Sequence, residues 1–418
     1  MNLSRKDITD RINQPHELER MYRGNKSGFK QAFFEAFPEI NTNPIAMVWK
    51  ERFNFEGETA GVSWGTRGEW LRVIILCLLA GTIAKLPKLF SIDDQFFYSR
   101  NIGFIVFPLL CVYFIWQKGL VRRRIIYGAI TIAITTVYIN VLPDAKSDTL
   151  ILACIHLVVM LWSMAGVAFA GEKTYDHTSR FNYLKYFADM LVMCALLALA
   201  FGIFSGITIG LFEVIGVKIE EFYFKYVVIY VLAGAPLISS HLVRSNPQMV
   251  NKVSPVIARV FTPVLLVTLI IYLIAWAGSG KDPYNDREFL FVFNMLLLGV
   301  LAIVFFSVIE MTQGEGSRYT LVLLLALTVV TIIVNSVALS AIVFRIAGMG
   351  ITPNRAAVAG SNVLILSGMV ALAYRLYLSL KNDTPASDAT RGITQFLPWY
   401  GIWAAVVVFL FPLLFRFR

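Results

Sequence analysis

The sequence predicts an all-α protein, a polytopic bundle of about eleven transmembrane helices behind a short helical cytoplasmic N-terminal region. Three observations carry this. Only 15% of the 418 residues are charged while 57% are hydrophobic, against about 25% charged in a soluble domain. Mean hydropathy is +0.67. From residue 71 onward, apolar runs recur that approach or reach the roughly twenty residues needed to cross a ~30 Å hydrocarbon core.

Residues 1–69 are polar enough to stand apart from the remainder, 70–418, and no cleavable signal peptide precedes the first apolar run. Pro15 and Pro44 suit first helical positions, and Ser27 and Asn43 suit N-caps. Leu18, Met21 and Tyr22 share one helical face, as do Phe29, Ala32, Phe33, Ala36 and Phe37, and then Ile45, Val48 and Trp49. This 3.6-residue period predicts three short amphipathic helices. Such helices cap the membrane part, lie on its surface or dock a protein partner.

The expected spans are 71–88, 102–116, 125–142, 150–170, 188–212, 223–243, 256–277, 289–311, 321–343, 356–378 and 400–415. Lys118, Arg122, Arg123 and Arg124 form the densest basic cluster and place their loop inside. The N-terminus is then cytoplasmic, and Lys173, Arg180, Lys185, Arg244, Lys252, Lys381 and Arg391 also fall inside. Asp144, Lys146, Asp148, Glu220 and Glu221 fall outside. Arg416 and Arg418 disagree, since an odd span count puts them outside. The bilayer is therefore the main partner, and the expected location is the bacterial inner membrane. Although the net charge is +10, the positives sit at the ends of apolar runs, which excludes nucleic acid as the reason for it.

Several runs are interrupted. Gly202, Gly206 and Gly210 form G-x-x-x-G-x-x-x-G, which predicts a helix-packing seam. Pro108, Pro236 beside Gly234, and Pro263 are expected to kink their spans.

Catalytic signatures are largely missing. Residues 166–174 (G-V-A-F-A-G-E-K-T) imitate a phosphate-binding loop, but Glu172 adds a residue before Lys173 and no strand precedes them. Lys281 after Gly278-Ser279-Gly280 lacks the upstream glycine. His16, His156, His177 and His241 are scattered, and Cys77, Cys111, Cys154 and Cys194 have neither metal nor disulfide spacing. Nothing calls for a cofactor or a metal, and the balance leans against an enzyme.

Residues 348–368 (G-M-G-I-T-P-N-R-A-A-V-A-G-S-N-V-L-I-L-S-G) resemble the G-[I/L]-T-P-N-R…N-x-L-x-L signature of a bacterial, Bacteroidetes-type family of polytopic membrane proteins classed as a domain of unknown function. The segments 16–23 (H-E-L-E-R-M-Y-R) and 49–54 (W-K-E-R-F-N) resemble the same family's leader region. The resemblance implies a multi-spanning inner-membrane protein and supplies no activity. Within the motif Gly350, Thr352, Pro353, Asn354 and Arg355 also have a physical account. Thr352 caps the tenth span, Pro353 opens it, and Arg355 snorkels at the interface.

Depth along the helices singles out candidate functional residues. At 1.5 Å per residue His156, Asn294, Asn335 and Asn362 lie roughly 8–12 Å below the outer ends of their spans, with Ser336 and Ser361 beside two of them. Lipid leaves such groups unsatisfied, so they are expected to point inward and converge. Asp189, Arg259 and Glu310 fall near the inner boundary, which disfavours transport driven by a buried carboxylate. The function this favours is a permease for a small neutral or weakly charged solute. A signalling or scaffold protein docking a partner through its N-terminal helices is the alternative, and a lipid-handling enzyme the third.

Overall fold

The computed structural model describes residues 4–59, 65–143, 147–214, 217–246, 262–271, 273–274, 278, 284, 287–313, 318–382 and 389–417, and all of its regular structure is helical. Asp144, Lys146, Lys252, Arg259, Ser279, Gly280, Lys281 and Arg418 lie outside these residues. The chain divides into two compact units, Met1–Gly65 and Thr66–Arg418.

The first unit holds four helices, one more than expected: α1 (Arg5–Thr9), α2 (Pro15–Gly24), α3 (Lys26–Ile40) and α4 (Pro44–Thr59). Ser4 and Asp7 start α1, the Ser4 amide and hydroxyl donating to the Asp7 carboxylate at 3.0 and 2.7 Å. Pro15 and Pro44 open α2 and α4, and Asn43 accepts from the Ile45 amide at 2.9 Å. The cap of α3 is Asn25, which accepts from the Gly28 amide at 2.9 Å; Ser27 lies inside the helix. Ile8, Leu18, Tyr22, Phe29, Phe33, Trp49 and Phe53 form one aromatic-rich core, each large side chain contributing roughly 1.5–3 kcal/mol by burial. Val48, expected on the buried face, is 68% exposed, and Ala46 and Phe53 take its place in the core.

The second unit contains α5 (Arg67–Ala84), α6 (Leu86–Phe90), α7 (Asp94–Lys118), α8 (Arg122–Val141), α9 (Asp148–Ala170) and α10 (His177–Val214). There follow α11 (Glu220–Phe222), a π-helical stretch Tyr223–Val228 that runs on into α12 (Ile229–Ser245), α13 (Thr262–Ile271), α14 (Arg287–Gln313) and α15 (Arg318–Met349). The chain ends with α16 (Pro353–Asn382), α17 (Thr390–Thr394), α18 (Leu397–Phe409) and α19 (Phe411–Leu414).

Eight helices among the described residues are long and apolar enough to cross a membrane: Asp94–Lys118, Arg122–Val141, Asp148–Lys173, His177–Gly210, Glu220–Ser245, Arg318–Met349, Pro353–Asn382 and Thr390–Phe409. Three of the expected spans are absent from this set. The 71–88 run is cut at Ala84 and its helix carries Arg67, Glu69 and Arg72; the others coincide with the shorter apolar stretches Thr262–Ile271 and Leu296–Ile309.

Local sequence explains the boundaries. Thr66 and Glu69 form a capping box at the start of α5, the Thr66 amide donating to the Glu69 carboxylate at 2.8 Å. Gly119 ends α7 at φ +61°, a left-handed conformation cheap only for glycine. Pro108 and Pro236 lie inside helices that continue through them, and Pro263 is the second described residue of α13.

Buried cations were not anticipated: Lys85, Arg100 and Arg345 are each less than a tenth exposed. Arg100 in α7 is 1% exposed, and its guanidinium donates to the carbonyls of Ile139 and Leu142, both at 2.8 Å, and of Pro143 at 3.4 Å. It satisfies carbonyls at the C-terminal end of α8 that have no partner within their own helix.

Candidate functional site

Four residues of α10, Asn182, Lys185, Tyr186 and Asp189, recur at i, i+3, i+4 and i+7 and so share one helical face. That face, with Phe114, Gln117 and Lys118 of α7, Phe169 of α9, and Val243 and Arg244 of α12, encloses a cavity of about 370 Å³. The size is that of a small-molecule pocket. Tyr186 fixes α10 to α12, its hydroxyl donating to the Ser240 carbonyl at 2.7 Å, and Tyr183 fixes α10 to α9 through the Trp162 carbonyl at 2.7 Å. Phe114, Phe169 and Tyr186 form an aromatic wall, with ring centroids 5.0–5.7 Å apart.

The charges around this cavity are unequal. Among the described residues, Lys118, Lys185 and Arg244 line the cavity with one carboxylate, Asp189. The Lys118 ammonium donates to the Phe169 carbonyl and sits 4.4 Å above the Phe169 ring. Asp189 is 5% exposed, and its Oδ1 is buried without a hydrogen-bond partner. Such a group loses its hydration with no return.

The other candidate layer is built differently. Asn362 of α16 donates from Nδ2 to Oδ1 of Asn294 in α14 at 3.0 Å, and Asn335 of α15 donates to the Asn362 backbone carbonyl at 3.1 Å. The three asparagines therefore meet and tie three helices together. Asn335 and Asn362 are buried, on helices that also carry the apolar cluster of Leu297, Val334 and Ala338. The bonding ties the helices together but leaves Oδ1 of Asn335 buried without a hydrogen-bond partner.

His156 does not extend that bonded chain: its Nδ1 faces the Leu152 carbonyl of its own helix at 2.9 Å. Ser361 is bonded to the Trp403 indole at 3.1 Å, and Ser336 is exposed and donates to Ile332 of its own helix at 2.8 Å.

The 350–355 motif is a helix–turn–helix clamp. Gly350 takes φ +80°, Thr352 accepts from the Arg355 amide at 3.4 Å, and Pro353 opens α16. Arg355 does not simply extend to an interface, because its guanidinium donates to the carbonyls of Met349 at 3.2 Å and Gly350 at 2.8 Å at the end of α15. Asn354 donates to Asp148 at the start of α9. Residues 166–174 are likewise structural: Gly166 packs against the Tyr183 ring and Gly171–Lys173 form a 3₁₀ turn.

Among the described residues a Cβ built at Gly202, Gly206 or Gly210 meets nothing within 4 Å, so the expected seam has no partner there. Close approach occurs instead between α5 and α12, where a Cβ at Gly234 would lie 3.0 Å from that of Cys77 and one at Gly81 would enter the Tyr230 ring.

No family model, no curated protein and no solved structure matches this chain.

Proposed function

We propose that the protein is a permease-like, eleven-span protein of a bacterial inner membrane, its N-terminus in the cytoplasm, that takes a small solute into the cavity beside Asp189. The observation carrying this is a 370 Å³ pocket lined by a buried carboxylate, Asp189, together with Lys118, Lys185 and Arg244. A carboxylate in a membrane span is costly and is usually retained for a task. Sequence depth alone put Asp189 at a boundary and argued against a working carboxylate; its burial at the pocket reverses that weight. On the basic-loop topology, the ends of α7 and α12 and the start of α10 face the cytoplasm, which places the cavity at the cytoplasmic end of the bundle. The asparagine layer serves as interhelical packing. The likeness of residues 348–368 to an uncharacterised membrane family is consistent with the topology and supplies no activity.

A scaffold function has one supporting observation: the N-terminal unit has its own core and exposes Phe34, Met47 and Val48. Accessibility separates the two. In a protein whose four cysteines are replaced, Gln117→Cys in proteoliposomes should react with an impermeant thiol reagent supplied from either side, as alternating access requires. Reaction from the cytoplasmic side alone, or from neither, would overturn the permease function. Single cysteines replacing Lys146 or Glu220 should react only from outside and one replacing Arg123 only from inside; the reverse would sink the topology.

A further inference from the structure

The chemistry of the cavity specifies its ligand more narrowly, and we infer that it takes a zwitterionic head, an anionic group and a primary ammonium on one small molecule. This rests on the cavity being the ligand site. Among the described lining residues Lys118, Lys185 and Arg244 outnumber the one carboxylate, so the pocket attracts an anion. An anion alone leaves the Asp189 carboxylate in the same lining without a cationic group from the ligand. Its complement is a donor that also carries positive charge, because a charge-assisted hydrogen bond is about twice as strong as a neutral one. The positive-inside pattern accounts for three cations near the cytoplasmic face, but it accounts for neither a buried carboxylate among them nor the space between. Phosphoethanolamine and α-amino acids carry this pair of charges, and so does the head of phosphatidylethanolamine.

The test measures binding to the intact protein in nanodiscs by calorimetry, with O-phosphoethanolamine, inorganic phosphate and ethanolamine as probes. O-phosphoethanolamine should bind at least about tenfold more tightly than phosphate, a difference of ~1.4 kcal/mol. Asp189→Asn should abolish that preference while keeping the affinity for phosphate. Arg244→Gln should weaken both anions together. If phosphate binds as tightly as O-phosphoethanolamine, or if Asp189→Asn keeps the preference, the zwitterion inference is overturned. Absence of binding by all three also overturns it, and Gln117→Cys labelling then shows whether the cavity itself remains a reachable site. Phosphatidylethanolamine nanodiscs that suppress O-phosphoethanolamine binding, where phosphatidylglycerol nanodiscs do not, identify the lipid head as the source of the zwitterion; equal binding in both identifies a free solute.

Discussion

Lys185 and Asp189 stand one turn apart on the same face of α10 and line the same cavity, yet Oδ1 of Asp189 has no hydrogen-bond partner. A lysine four residues away is well placed for an ion pair on a helix surface, so an Oδ1 without a partner in this position fits the proposed ligand site.

Stability should register that cost. Replacing Asp189 by Asn removes a buried charge at nearly constant shape, and the variant is expected to be more stable by roughly 1 kcal/mol, at the lower end of the penalty for an unsatisfied buried group. Thermal unfolding of the purified protein without added solute is the measurement. An equal or lower midpoint for the variant would show that Asp189 is already satisfied.

The asparagine contacts should behave as modest glue. A double-mutant cycle between Asn294 and Asn362, whose side chains bond at 3.0 Å, should give a coupling near 0.6 kcal/mol and no more than about 1.7, as measured for polar contacts between membrane helices. Unfolding of the four variants in mixed micelles reads the coupling. A value near zero would mean that the bond adds nothing.

Two kinds of glycine should part company. A Cβ at Gly360 would fall 2.0 Å from the Trp403 ring, so Gly360→Ala should cost about 1–3 kcal/mol as an overpacked contact. Gly206→Ala meets no described neighbour within 4 Å and should be neutral or stabilising by up to ~1 kcal/mol through helix propensity. Comparison of their unfolding midpoints decides. Marked destabilisation at Gly206 would show a neighbour on that face beyond the described contacts.

The N-terminal unit should weaken in acid. Hydrogen bonds from Arg23 and then Arg52 to Glu19 hold its carboxyl below the usual carboxylate range. A depressed pKa stabilises the fold above the unfolded value of about 4.3, and that contribution disappears as pH falls through the lower folded value. Amide exchange in α2 of the full-length protein should therefore accelerate below about pH 4, and Glu19→Gln should flatten that dependence. A profile identical in the variant would assign the acid response to other groups.

Much of the class was legible in residue order. Apolar runs, basic loop ends and the caps at Pro15, Asn43, Thr352 and Pro353 are local signals, and each acts within a turn or two of chain. The meeting of Asn294, Asn335 and Asn362 was also within reach, because polar groups at one depth on helices adjacent in sequence have few other places to go. The Asn182–Lys185–Tyr186–Asp189 stripe was visible too, as a polar face at helical spacing leading into an apolar run, but depth bookkeeping treated Asp189 as a boundary residue.

Sequence by itself determined that this chain is helical and built for lipid, since burying a peptide backbone in hydrocarbon leaves the helix as the economical solution for apolar runs of this length. Only tertiary structure decided which polar residues share a space. Lys118 and Arg244 reach the cavity from helices separated from α10 by tens of residues, and Arg100 finds its carbonyls on a different helix. Those meetings depend on the rotation and pairing of whole helices, set by side-chain packing summed over many turns, and no local pattern of residues records that sum.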